Sequence, residues 1–266
     1  MLTRRWLLST LPLLASIGAG AQQRKSLGDP LRLGVDRDLV DSGLAHALVR
    51  AFGLDTGIAV KTVPGPALPL LEALERGELD AALTNAPEAE AKLDKAGLAH
   101  DRQLIAGGEF VLVGPAIRGK GEDALGAAKE RDVIVALKRL ASAAPGTCTF
   151  VSAADGSGAH AVEQALWRAA GIAPAPPWYV QVPPGESLLA QVRARGAYAL
   201  VERGKWLAQG GAPLAIRIEP DARLAEEVHA MRSFRANHPA GKIFVAWIAS
   251  AKGHRVVASQ RGYRAP

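Results

Sequence analysis

Apolar and polar positions recur along the chain with two different periods, and the switches between them predict short strands and amphipathic helices. Leu31-Arg-Leu-Gly-Val35 reads as a strand. Leu44, Ala47, Leu48, Ala51 and Phe52 then fall at i, i+3, i+4, i+7 and i+8, one face of a helix. Gly57 separates that helix from a strand over Ile58 to Val63, and Pro64-Gly65-Pro66 turns the chain. Ala67, Leu70, Leu71 and Leu74 mark the next helix, which Gly77 ends. A strand over Asp80 to Thr84, a helix over Pro87 to Ala96 and a strand over Phe110 to Val113 follow. Strands separated by helices are the pattern of a parallel sheet covered by helices.

After Pro115 the pattern restarts, with a helix over Val133 to Ala143 and a strand over Cys148 to Ser152. The loop Ala153-Ala154-Asp155-Gly156 leads into a helix carrying Val162, Ala165, Leu166, Ala169 and Ala170, closed by Gly171. Strands are expected at Trp178 to Val182, Tyr198 to Glu202 and Leu214 to Ile218, and a helix at Ser187 to Arg195. The chain finishes on a helix with Phe244, Trp247, Ile248 and Ala251 on one face. Two α/β units suggest two lobes with a cleft between them, a class α/β fold.

The N-terminus changes the length to be explained. Arg4 and Arg5, the apolar run Trp6 to Ile17, and Ala19-Gly20-Ala21 make Met1 to Ala21 an export signal, with a start that suggests the twin-arginine type. Its apolar run is about a dozen residues against the ~20 that span a bilayer. Cleavage would leave about 245 of the 266 residues and, by removing two Arg, lower the formal charge from +6 to +4. The basic residues are scattered, with no run interleaved with aromatics, so no nucleic-acid partner is expected. The single Cys148 excludes an internal disulfide framework and a C-x-x-C pair and reads as a small core residue.

Ligands of open α/β sheets sit beyond the carboxyl ends of the strands, so the first loop of each unit is where chemistry is expected. Asp41-Ser42-Gly43-Leu44-Ala45-His46 and Gly156-Ser157-Gly158-Ala159-His160 both place Ser-Gly at a helix start with a His close behind. Free N–H groups at a helix start make an anion site, and Gly lets a ligand approach. The plainer reading of Asp41, Ser42 and Ser157 is an N-cap; the same device in both units favours a shared clamp. His46 and His160 lack H-x-x-x-H or H-E-x-x-H spacing, so no metal site is expected, and no cofactor. Trp167 and Trp247 lie on helical faces and read as core.

The run Phe150-Val-Ser-Ala-Ala-Asp-Gly-Ser-Gly-Ala-His160, with Glu163 and Ala165-Leu-Trp-Arg-Ala-Ala-Gly-Ile172, resembles the tungstate-binding proteins of bacterial ABC transporters. So do Asp41-Ser-Gly-Leu44, Ala86-Pro-Glu88, Glu109-Phe-Val-Leu-Val-Gly-Pro115 and Gly196-Ala-Tyr-Ala-Leu-Val-Glu-Arg-Gly204, in matching order. The resemblance implies a periplasmic binding protein of the type 2 superfamily, of venus-flytrap form, each lobe a mainly parallel sheet flanked by helices. Residues 28–113 with 229–266 would form one lobe and 114–228 the other, with crossings near Val113 to Pro115 and Ala222 to Met231. It implies a monomer that binds a small oxyanion, tungstate or molybdate, delivers it to a membrane permease, and has no catalytic residue.

Where the family usually carries Thr-Thr-Thr-Ser before Asp-Ser-Gly-Leu, this chain has Val35-Asp36-Arg37-Asp38, and where it tends to carry Arg this chain has Ala153. Carboxylates cannot donate to an anion and would repel it, unless the acids turn to solvent and Arg37 turns inward. The ligand-binding candidates are then Arg37, Asp38, Ser42, Gly43, Asn85, Ser157, Gly158, His160 and Arg203. For Arg203 a surface or inter-lobe salt bridge is the competing reading, and for Asn85 a turn. Inward-facing Asp36 and Asp38 would favour a cationic or zwitterionic solute, or a periplasmic sensor. An exported hydrolase using Ser157, His160 and Asp155 is the remote alternative, since Gly156-Ser157-Gly158 lacks the G-x-S-x-G spacing of a nucleophile elbow.

Overall fold

The computed structural model describes residues 25–116, 125, 131–144 and 146–266. Met1 to Ala21, read above as an export signal, lie outside them. The first strands are β1 (Leu31–Asp36), β2 (Val60–Gly65) and β3 (Ala81–Thr84), and the first helices α1 (Arg37–Asp41), α2 (Leu44–Thr56), α3 (Ala67–Arg76) and α4 (Pro87–Lys95). A long strand, β4 (Ala99–Pro115), leads to α5 (Val133–Ser142), β5 (Phe150–Ser152) and α6 (Gly158–Ala170). Then come β6 (Tyr179–Gln181), α7 (Leu188–Arg195), β7 (Ala199–Glu202), α8 (Arg203–Gln209) and β8 (Leu214–Ile218). The chain ends through β9 (Ala225–Ser233), α9 (Pro239–Ile248) and α10 (Ala251–Ala258).

The strands join in the order β2-β1-β3-β9-β4-β7, with β8 also on β4, and β5 pairs with β6. The expectation of mainly parallel sheets needs correction. β1 runs parallel to β2 and β3, and β5 to β6. β9 is antiparallel to β3 and β4, and β4 is antiparallel to β7 and β8, so the sheet is mixed. The cause is β9, which enters between β3 and β4. Its Glu226 and His229 are buried, so the strand lacks the apolar rhythm that would have revealed it.

β4 changes partners along its length. Ala99 to Glu109 pair with β9, whereas Phe110 to Val113 pair with β7 and Leu112 to Pro115 with β8. Two halves follow, each with apolar residues on both sheet faces. In the first, Leu31, Leu33 and Val35 pack under α2, α9 and α10 with Phe52 and Phe244. Leu70, Leu71, Leu74 and Met231 fill the opposite face. In the second, Phe110 and Leu112 face Phe150, Leu140 and Trp167. Val111 and Val113 face Val151, Val192 and Val201. Phe110 to Val113 is continuously apolar because both faces of β4 are covered there. Trp167 is core as expected, and Cys148 packs half-buried against the same cluster.

Candidate functional site

The end of β1 turns directly into α1, and this turn builds one wall of a cavity of about 610 Å³. Asp36 caps α1 by accepting the Asp38 N–H at 2.9 Å. That cap sends Arg37 outward, exposed yet lining the cavity, and turns Asp38 inward, where it is buried. Glu202 caps α8 in the same way, accepting from the Gly204 and Lys205 N–H groups. The short helix rotates Lys205 into the cavity, its Nζ 2.7 Å from Asp38 Oδ1 and 3.0 Å from Asp41 Oδ2. This ion pair joins the end of β1 to the end of β7, and so the first half to the second.

The opposite wall is the loop from β5 to α6. Ser152 Oγ accepts from the Ala154 N–H at 3.2 Å, and Ala154 takes a left-handed φ of 49°. A positive φ in a non-Gly residue is uncommon and concentrates where surrounding structure over-determines the backbone. Asp155 accepts the Ser157 N–H, and Ser157 Oγ caps α6 through the His160 N–H at 3.2 Å. Behind the loop, buried Glu163 accepts from Tyr179 Oη at 2.7 Å and Trp167 Nε1 at 3.3 Å. The segment Val182 to Leu188 closes a third side.

The nine candidate residues do not converge. Arg37, Asp38 and Ser157 line the cavity. Ser42 Oγ instead accepts from Tyr263 Oη at 2.7 Å, and Gly43 caps α2 with a φ of 87°. Asn85 is buried and donates from Nδ2 to Glu226 Oε1 at 2.7 Å. Gly158 presses on it so closely that a Cβ would overlap Asn85 Oδ1 and its carbonyl oxygen. His160 Nδ1 accepts the Gly156 N–H at 3.1 Å, folding the ring back on its own loop. Arg203 donates to Glu109 at 2.9 Å and pairs with Glu219, at the strand ends where β4 changes partner. Sequence reading missed Lys205, two residues from Arg203. The signal was present in Glu202-Arg203-Gly204-Lys205, but only the turn into α8 reveals which cation faces the cavity.

Electrostatically the site is rich in acceptors. Burial and then the Asp38 charge push the Asp36 carboxyl well above the usual carboxylate range. Burial likewise raises Asp38 against the pull of Lys205, and lifts Glu202 and Glu163 each to about 7. For Lys205 burial opposes the charge, but Asp38 and Asp41 outweigh it and raise the pKa. Burial lowers His160. Both acids of the Asp36-Arg37-Asp38 run therefore point inward, and among the described residues Arg37 is left at the cavity without a carboxylate partner. Among those same residues, no group of three or more His, Cys, Asp or Glu side chains is placed to hold a metal ion, and no helix is long and apolar enough to cross a membrane.

A cavity at the ends of strands from two halves, bounded by two helix starts, has the form of a site for a small solute. The comparisons with known proteins agree. The PBP superfamily domain matches residues 38–251, and the chain belongs to that family. Two of its relatives are named as binding proteins, one of them as part of an ABC transporter. The tungstate-binding protein TupA of Peptoclostridium acidaminophilum is 31% identical over 226 residues, covering 82% of this chain and 76% of its own. A provisionally named ABC transporter anion-binding protein of Haloferax volcanii is 30% identical over 202 residues, covering 75% of this chain and 57% of its own. Among solved structures, the tungstate ABC transporter protein of Geobacter sulfurreducens aligns with a TM-score of 0.73 at 26% identity, covering 86% of this chain and 98% of that one. TupA of Desulfovibrio alaskensis G20 aligns at 0.69 and 26%, covering 90% and 99%.

Proposed function

We propose that this chain is the periplasmic solute-capturing component of an ABC importer and binds a small anionic solute between two lobes. The first lobe would comprise residues 28–113 and 229–266 and the second 114–228, with the partner switch of β4 drawing the first crossing back toward Glu109 and Phe110. Closure around the solute, with β4 and β9 absorbing the backbone change, would present the loaded form to a membrane permease. The observation that carries the reading is the kinship with tungstate- and anion-binding proteins. Arg37 at the cavity beside the start of α6 supports it. The export signal read from Met1 to Ala21 supports the periplasmic location.

A second reading, a solute with a cationic group, is favoured by the inward-facing Asp36 and Asp38, although Lys205 already satisfies Asp38. Thermal denaturation of the signal-free protein with tungstate, molybdate, sulfate, phosphate, succinate and benzoate, and in parallel with arginine and putrescine, separates the two. A bound solute stabilises by RT ln(1 + [L]/Kd), about 2.7 kcal/mol at a hundredfold excess over Kd. A rise in Tm with an anion is the expected outcome. Response to amines with none to any anion would overturn the anion reading and leave the fold assignment intact.

A further inference from the structure

Beyond α10 the chain runs as a strap across the join between the halves. The Arg264 N–H donates to the Gly107 carbonyl of β4, and the Gly107 N–H donates to the Arg264 carbonyl, each at 2.8 Å. Gly107 stands just before β4 exchanges β9 for β7. Tyr263, one residue earlier on the strap, is buried in the core of the first half.

This tyrosine touches both short helices that carry the ion pair of the cavity. Its hydroxyl donates to Ser42 Oγ at 2.7 Å, and Ser42 directly follows Asp41 at the end of α1. Its ring lies on Gly204, one residue before Lys205 in α8: a Cβ at Gly204 would stand 2.7 Å from Tyr263 Cε2 and 2.9 Å from Ser42 Cβ. Gly262 closes the same spot, where its own Cβ would come within 3.0 Å of Gly204 Cα. With five and seven residues, α1 and α8 are too short to persist by helix propensity. Lys205 adds a flexible four-carbon stem, so the place of its Nζ between Asp38 and Asp41 depends on how the two helices are seated.

We propose that Tyr263 is a positioning residue for the cavity, which it does not itself line. By seating α1 and α8 on each other it sets Lys205 between Asp38 and Asp41, and the C-terminal strap thereby governs how firmly the two halves meet.

The test compares the signal-free protein with Tyr263→Ala, Tyr263→Phe, Lys205→Met and the double variant of Tyr263→Ala with Lys205→Met. Thermal denaturation gives Tm, and NMR follows the ammonium protons of Lys205, assigned by their absence in Lys205→Met. If the tyrosine acts through the ion pair, the losses are not additive, and the fall in Tm of the double variant is expected to be about a third smaller than the sum of the single falls. The ammonium signal is expected to be sharp in the wild type and to broaden in Tyr263→Ala through faster exchange with water. Tyr263→Phe, whose ring still covers Gly204, should largely restore it. Additive losses, or an ammonium signal that does not respond to Tyr263→Ala, would overturn the proposal and leave Tyr263 as a core residue alone. If Tyr263→Ala does not fold, Gly204→Ala decides the matter. Alanine in place of glycine ordinarily stabilises a helix, but here the methyl group would push α8 off Tyr263 and Ser42. A fall in Tm with a broadened ammonium signal is expected, and a rise in Tm with an unchanged signal would overturn the proposal. These readouts involve no solute, so their outcome is independent of the capture reading.

Discussion

Two segments of nearly the same composition, Ser42-Gly43-Leu44 and Ser157-Gly158-Ala159, open helices in the two halves and end in opposite environments. In the second half Ser157 caps a 13-residue helix, and the adjoining Gly158 packs across the boundary on Asn85. In the first half the serine is held by Tyr263 and Leu39, and the helix start is capped by a left-handed Gly43 with nothing near its missing Cβ. A shared motif supplies the same donors twice; the strand end it faces decides whether they can serve a ligand.

The largest expected effect comes from the ion pair that ties the halves. Lys205→Met leaves Asp38 buried without its cation, and unfolding free energy should drop by about 3 kcal/mol in urea denaturation. A loss under about 1 kcal/mol would mean that the bridge is no more than a surface pair.

Protonation offers a second way to divide the halves. Glu163 beneath α6 is lifted to about 7 from its ordinary 4.5, so the folded chain retains a proton that the unfolded chain has released. Stability from this group is present below about pH 4.5 and lost as pH rises toward 7, roughly 3 kcal/mol in all. Glu202, also lifted to about 7, acts in the same direction. Asp80 is held below its ordinary value by Arg32 and Lys25 despite burial, and Asp221, chiefly through Arg223, is held at about 2; their contribution falls away below about pH 4. Tm should therefore peak on the acid side of neutrality, and Glu163→Gln should flatten the fall between pH 5 and 7.5. An unchanged slope in that variant would assign the fall to Asp36, Glu202 and Glu226.

The glycines differ by a smaller margin. Gly158→Ala must displace Asn85, backbone oxygen included, and should cost about 2 kcal/mol or prevent the halves from closing. Gly43→Ala meets no neighbour and should cost about 1 kcal/mol for its left-handed φ. Equal losses in denaturant titrations would erase the difference between the two helix starts. The cap matches Gly43 in size: Ser157→Ala, losing the bond to His160, should also cost about 1 kcal/mol by the same titrations.

Much of the fold is legible in the apolar rhythm. β1, β2, β3, β5, β6, β7 and β8 and helices α2 through α7 lie at or within a few residues of their predicted places. The remainder is hidden for physical reasons. β9 buries Glu226 and His229, which read as surface residues. The first part of β4 is polar and interrupted by bulges. α1 and α8 are too short for a helical period and exist because Asp36 and Glu202 cap them. Missing α8 is what put Arg203 forward in place of Lys205. The inward turn of Asp38 depends on the same caps, so it was visible in composition but not in direction.

The packing of Gly158 on Asn85 leaves no room for a methyl group, and hence none for a layer of solvent. Around this dry seam lie Asp36 Oδ2, Asn85 Oδ1 and Glu226 Oε2, buried acceptors without donors among the described residues. Separating the halves would let water reach all three, and their hydration would offset part of the free energy of opening. The cost of parting the seam is thereby lowered, and what holds the halves against it is the Lys205 pair with Asp38 and Asp41.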